Sequence, residues 1–270
     1  MIYSTTHNHC NFCDGNNSAE EMIEKAIELN FTDFGMSCHG KCVFDPYCGV
    51  ENENDYVENI KKLKKVYCDK INVYCGIEQD YYAPVEDREN FDYIIGSVHY
   101  LKNKQGSFVG IDCSYDILKN LIKDTYSGDE MAMIKDFYHL TTQNISQYKP
   151  DVIGHFDLIT KYNENNSLFN ENSDEYKKIV LSALEKCVKE DCIFEVNTGA
   201  MARGKKDKPY PSLFILKSLC QMNAKITLNA DCHDKNHMTF AFDEALDLIK
   251  LVGFKEIWLF NNGIFIKEQL

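Results

Sequence analysis

Six of the eight histidines in this chain stand just past short apolar runs, and several carboxylates keep the same register. His7 and His9 follow the first run, His39 the second, Glu78 the third, His99 the fourth and His155 the fifth. Asn197 closes the sixth, and Asp231 with His233 follows the seventh. Any one of these histidines alone reads as a satisfied core or surface residue; the shared register makes ligands of them. Imidazoles and carboxylates are the donors of transition-metal sites, and a divalent ion acidifies bound water enough to make hydroxide near neutral pH. The chemistry this set predicts is metal-dependent hydrolysis. In His7-Asn8-His9 the alternate spacing aims two imidazoles toward one face as an extended strand ends, with Asp14 on the following loop. Asp231-Cys232-His233 repeats that spacing with a carboxylate and an imidazole, and Glu78 has two oxygens to offer two ions. Six histidines and three carboxylates exceed one tetrahedral site, so two or three divalent ions are expected. Zinc, iron and manganese all suit these ligands.

Two cations lie at the same strand ends. Arg203 follows the run Glu195 to Ala200, and Lys161 comes shortly after His155. Beside a metal cluster they suit phosphate, Arg as a fork of donors and Lys as a point charge. Gly199 is read as a backbone-turn requirement, and His139, inside a helical pattern, as structural. His237 shares the loop that carries Asp231. Cys10-x2-Cys13 and Cys38-x3-Cys42 flank His9 and His39 and offer a thiolate zinc site as the rival reading. Cys68, Cys75, Cys187, Cys192 and Cys220 read as small apolar core residues.

Positioning these groups requires βα units. Strands are expected over 2–5, 33–37, 72–76, 93–97, 151–154, 193–197, 225–228 and 256–260. Helical spacing covers 19–30, 55–68, 115–124, 129–148, 173–189, 211–222 and 242–252, with Ser18 and Glu21 forming a capping box. Seven or eight such units predict a closed or nearly closed α/β barrel, whose strand C-termini converge on one mouth; an open doubly wound sheet is the alternative. The polar stretch Asn163 to Glu175 reads as a surface loop, and no linker divides the chain, so residues 1–270 are expected to form a single domain.

The 270 residues are 44% hydrophobic and 26% charged, the profile of a globular protein with one large core. No run approaches the roughly 20 apolar residues of a membrane span, and the expected location is the cytoplasm, where twelve cysteines stay reduced. A net charge of −13 repels a phosphate backbone, so neither nucleic acid nor a membrane is the expected partner; Arg203 and Lys161 beside the metal donors point to a small phosphate ester instead. Oligomeric state leaves no mark in the sequence.

The order of motifs resembles the polymerase-and-histidinol-phosphatase (PHP) superfamily, and within it the PHP-type histidinol-phosphatases. The resemblance rests on His7-Asn8-His9, Ser37-Cys38-His39-Gly40, Gly76-Ile77-Glu78, the segment Asp92 to His99, Gly154 to Ile159, Phe194 to Thr198 and Asp231-Cys232-His233. It implies a distorted (β/α)7 barrel of the TIM-like kind holding a trinuclear metal centre. By that likeness His7, His9, Glu78 and Asp231 hold one ion, Glu78, His99 and His155 a second, and Asp14, His39 and His233 a third. Arg203 matches a phosphate-binding position, and Lys161 matches more loosely. The chain departs from the family where Thr-Asp-His becomes Ser37-Cys38-His39 and Ser-Asp-Ala-His becomes Ala230-Asp231-Cys232-His233, which changes what surrounds the ligands.

The resemblance implies hydrolysis of L-histidinol phosphate to L-histidinol and inorganic phosphate, a step of histidine biosynthesis. Arg203 would hold phosphoryl oxygens, and Asp231 or a metal-bound water, ahead of His233, would protonate the leaving alkoxide. The alternatives are a phosphoesterase for another small ester, a nuclease acting on a phosphodiester, and a non-catalytic metal-binding protein.

Overall fold

The computed structural model describes residues 2–270. Along the chain run β1 (Ser4–Thr5), α1 (Ala19–Glu28), β2 (Asp33–Met36), α2 (Glu53–Val66), β3 (Asn72–Asp80) and β4 (Tyr93–Ser97). The pair β5 (Tyr100–Lys102) and β6 (Phe108–Gly110) precedes α3 (Tyr115–Thr125), α4 (Glu130–Tyr148) and β7 (Val152–Ile153). Then come α5 (Asp174–Cys187), β8 (Ile193–Asn197), α6 (Gly199–Ala202), α7 (Leu213–Gln221), β9 (Lys225–Asn229), α8 (Phe242–Val252), β10 (Glu256–Asn261) and β11 (Ile264–Gln269).

Seven parallel strands form one sheet in the order β1-β2-β3-β4-β7-β8-β9, and helices wrap it. The sheet curls into a nearly closed, distorted (β/α)7 barrel, which excludes the open doubly wound alternative. Past the ends of β1 and β9, His9 N–H donates to Cys232 O at 2.8 Å and Cys232 N–H to His7 O at 3.1 Å. These two bonds close the ring at the mouth, beside the residues expected to do chemistry. At the opposite end the run expected as an eighth unit instead turns back as the antiparallel hairpin β10–β11. That hairpin covers the seam, with Phe260 N–H donating to Ser4 Oγ at 3.1 Å and Tyr3 OH donating to Glu268 at 2.9 Å.

Apolar spacing drives the wrapping: α1 buries Ala19, Met22, Ile23 and Ala26 on one face, and the Ser18–Glu21 capping box is formed. Inside the barrel the Tyr93 ring packs so closely over Gly35 and Gly76 that a Cβ at either position would collide with it. Its hydroxyl donates to Thr6 O, joining β4 to the β1 side of the barrel.

Two further expectations need correction. The stretch 163–175 is not simply a surface loop, because Asn163 and Phe169 are buried and the Asn163 side chain bonds the backbone of Leu168 and Phe169. Helix α5 already begins at Asp174. Cys68, placed in the core by composition, is exposed in the turn after α2. Among the described residues no helix is long and apolar enough to cross a membrane.

Candidate metal centre

Six of the seven strands deliver His7, His9, Asp14, His39, Glu78, His99, His155, Asp231 and His233 into one cluster. Glu78 sits inside β3 rather than after it, because the ladder continues past the predicted end: Glu78 N–H donates to Cys38 O and Gly40 N–H to Glu78 O. Its carboxylate is wholly buried at the centre of the cluster.

Four donor atoms surround one point. His7 Nε2 lies 3.2 Å from Glu78 Oε2 and 3.6 Å from Asp231 Oδ1, and His9 Nε2 lies 3.5 and 3.3 Å from the same two oxygens. A tetrahedral ion with donors about 2.0–2.1 Å away holds them about 3.3 Å from one another. His7 Nε2, His9 Nε2 and Glu78 Oε2 are also buried without a hydrogen-bond partner among the described residues. Buried polar atoms are costly unless paired, so these residues fit a metal.

The other oxygen of Glu78 faces a different set. Oε1 is 3.0 Å from His155 Nε2 and 3.3 Å from His99 Nε2, and it accepts from Ser97 Oγ at 2.6 Å. A third group joins Asp14, His39 and His233, with His233 Nε2 3.3 Å from Asp14 Oδ2 and His39 Nε2 3.8 Å from Asp14 Oδ1. His39 reaches both groups, since its Nδ1 lies 3.0 Å from Glu78 Oε2, and His9 stands beside the third group as well as in the first.

Electrostatics follow from this crowding. Burial opposes ionisation of Glu78, but His7, His39, His99 and His155 outweigh it and hold the carboxylate well below its ordinary range. Asp231 is held down likewise by Arg203, His7, His9 and His233 against its own burial. Burial and the neighbouring His9 lower His233, against the pull of Asp14 and Asp231.

Residues the sequence reading passed over support the cluster from behind. Glu195, wholly buried, accepts from His7 Nδ1 at 2.6 Å and Asn229 Nδ2 at 3.0 Å on one oxygen. Its other oxygen accepts from the His155 backbone N–H at 3.0 Å and Asn197 Nδ2 at 2.8 Å. The bond to Nδ1 fixes the His7 tautomer that leaves Nε2 free for an ion. Asp80 stands behind His99, its Oδ2 accepting from the backbone N–H at 2.6 Å and lying 3.4 Å from Nδ1. The available signal was a carboxylate at the centre of an apolar strand, where an unpaired charge is intolerable.

Above the cluster lies a cavity of about 180 Å³ lined by ligand candidates and by Cys48, Tyr100, Asp112, Leu158, Lys161 and Arg203. Arg203 ends α6 and donates to Asp231 Oδ2 at 3.0 Å and Asp231 O at 3.1 Å. Lys161 pairs with Asp112 at 2.9 Å. Burial works against the Asp112 charge, but Lys161 and the nearby His99 keep its carboxyl below the usual range. Gly199 serves space rather than a turn: its φ is unremarkable, and a Cβ there would strike the Asp231 side chain. Asp231 itself takes φ +47, a strained conformation for a residue with a Cβ.

The thiolate-zinc reading fails on geometry. Cys42 packs with Ala83 and Tyr100, away from Cys38, whose sulfur lies 3.4 Å from that of Cys10. Candidate metal groups among the described residues contain no cysteine. Cys13 lies 3.5 Å from His9 Nδ1, behind a ligand candidate. His139 stands on α4 beside a separate cleft of about 630 Å³ against α5, and His237 also lies outside the cluster.

Known proteins resemble this chain in both sequence and fold. The model of the PHP domain family matches residues 5–199. A Schizosaccharomyces pombe protein named "Probable histidinol-phosphatase" is 25% identical, the match covering 96% of this chain and 90% of that one. A Listeria monocytogenes structure described as a "putative histidinol phosphatase" superposes with a TM-score of 0.77 at 22% identity, covering 89% of this chain and 99% of the other. A Lactococcus lactis histidinol phosphate phosphatase, solved with zinc, L-histidinol and phosphate, superposes with a TM-score of 0.71 at 19% identity over 98% of each chain.

Proposed function

The chain belongs to the PHP domain family, and on that premise we propose that it is a metal-dependent phosphomonoesterase converting L-histidinol phosphate to L-histidinol and inorganic phosphate. The observation that carries the reading is the cage of His7, His9, Glu78 and Asp231, in which His7 Nε2, His9 Nε2 and Glu78 Oε2 are buried with no hydrogen-bond partner among the described residues, beneath a small cavity carrying Arg203 and Lys161. The relatives named for this activity, and the Lactococcus lactis structure holding zinc, histidinol and phosphate, support the choice of substrate.

In this reading residues 1–270 act as one catalytic unit holding two or three divalent ions: His7, His9, Glu78 and Asp231 on one, Glu78, His99 and His155 on the second, Asp14, His39 and His233 on the third. When bound, the ions supply hydroxide near neutral pH and neutralise charge on the phosphoryl group. Arg203 presents its fork to the phosphoryl oxygens, and Lys161, lining the same cavity, adds a point charge. Asp231 enters ionised, so it would take the proton given up by the attacking water and return it to the departing alkoxide. His233, beside Arg203, is the lesser candidate for that proton. The same reading places the reaction in histidine biosynthesis in the cytoplasm.

Phosphate release from L-histidinol phosphate, compared with p-nitrophenyl phosphate and with a chelator-treated control, tests the proposal. The expected result is strong preference for histidinol phosphate that disappears with the metals and returns on adding zinc, iron or manganese. Turnover no faster than for the aryl ester would sink the biosynthetic assignment.

A further inference from the structure

Four carboxylates line the cavity above the cluster: Asp14, Glu78, Asp112 and Asp231. Three of them face histidine nitrogens and belong to the proposed ligand set. Asp112 pairs instead with Lys161, its Oδ2 accepting from Nζ at 2.9 Å. Its side chain is 30% exposed and lines the cavity, with Oδ2 the oxygen that Lys161 engages.

The segment carrying Asp112 is well anchored. It follows β6, where Ile111 N–H donates to His99 O at 2.9 Å, and Tyr162 OH donates to Cys113 O at 2.9 Å. The carboxylate is therefore held at a set place on the cavity wall rather than on a loose loop.

A cation and an anion side by side on one wall form a dipole, and its complement is a molecule with an anion and a cation a few bonds apart. A phosphate ester with an ammonium group near its ester carbon is such a molecule. We propose that Asp112 is a specificity-determining residue that reads the ammonium group of the substrate while Lys161 turns to the phosphoryl group. The inference rests on the proposed phosphatase function and deepens it: the preferred substrates are aminoalkyl phosphates. Tyr100 and Leu158, on the same cavity, supply the flat and apolar surfaces an attached ring requires. Each partner of the ion pair then exchanges one charged neighbour for another, so the ligand displaces the bridge without leaving either charge unpaired.

The competing account is that Asp112 only holds Lys161 in place. The test compares L-histidinol phosphate with the same ester lacking its amine, 3-(imidazol-4-yl)propyl phosphate, on metal-loaded enzyme. The parent enzyme is expected to favour the amine-bearing ester by about 10- to 100-fold in kcat/KM, carried by KM, the range of one charge-assisted hydrogen bond. In Asp112→Asn that preference should collapse, and Asp112→Glu should restore part of it. The preference is a ratio measured within one protein, so a general loss from a disturbed Lys161 cancels. If both esters weaken together and the ratio survives in Asp112→Asn, Asp112 merely positions Lys161 and the inference is wrong. A second arm separates this from failure of the phosphatase reading: calorimetric binding of 2-aminoethyl phosphate against ethyl phosphate to the metal-loaded protein. Equal binding by the parent protein overturns the role of Asp112, whichever ester is hydrolysed. Tighter binding of the amine, lost in Asp112→Asn, upholds it even if histidinol phosphate is not turned over.

Discussion

Glu195→Gln is the substitution whose outcome the geometry constrains most tightly. All four groups that reach the Glu195 carboxylate are donors: His7 Nδ1, Asn229 Nδ2, the His155 backbone N–H and Asn197 Nδ2. A carboxylate accepts all four, whereas glutamine has one acceptor oxygen and one NH2. Whichever way the amide is turned, its NH2 confronts two buried donors. Leaving two donors unpaired costs about 1–3 kcal/mol each, or about 2–6 kcal/mol together. At roughly 2–4 °C per kcal/mol for a chain of this size, the melting temperature should fall by something on the order of 5–20 °C. A second effect is separable. Without an anion at Nδ1, His7 no longer keeps its bare nitrogen toward Glu78 and Asp231, and metal affinity should drop about 10- to 100-fold. The assay is paired: thermal melting of metal-free protein for the first effect, competition with a chromophoric chelator for the second. A variant melting within about 2 °C of the parent, with affinity within about threefold, would refute the account of Glu195 as a buried acceptor that sets the His7 tautomer.

Arg203→Ala should lower kcat/KM by about 100- to 1000-fold while elemental analysis finds the metals still bound; unchanged activity would remove Arg203 from the mechanism. Gly76→Ala places a methyl against the Tyr93 ring and should cost about 1–3 kcal/mol or more, part of which Gly76→Ala/Tyr93→Leu recovers; denaturant melts of the two variants decide it. Stability against pH should differ between metal-free and metal-loaded protein. Burial pulls the His9 pKa down, but Asp231, Cys13 and Asp14 raise it to about 10 in the absence of an ion. A raised pKa contributes stability that is complete below the unfolded value of about 6.5 and is lost as pH climbs toward 10. Metal-free protein should therefore melt progressively lower from neutral to alkaline pH, whereas loaded protein, whose histidines are already deprotonated, should not follow; parallel curves would contradict the ion pairing assigned to His9.

The clustering of the candidate ligands was legible because a parallel barrel delivers every strand end to one mouth, so polar residues recurring at that phase must meet there. Gly199 shows the limit of reading one residue at a time: the role assigned to its backbone belongs to the space it leaves for Asp231, a distant neighbour in sequence. The run at Glu256 to Phe260 matches a barrel strand in composition, yet Asn262-Gly263 just beyond it is a strong hairpin signal. Both residues take positive φ, 49° and 86°, and the chain folds back on itself instead of making another parallel crossover. The β5–β6 pair was hidden for a different reason. Its strands have only three residues each around a polar turn at Asn103 to Gly106, too short for any period to show. That small hairpin nonetheless carries the chain from the ligand candidate His99 to Asp112, from the floor of the cavity to its wall. A cluster of donors fixed by the barrel is thus written in the phase of the strands, whereas the carboxylate proposed to select the substrate follows an insertion whose position only the folded chain reveals.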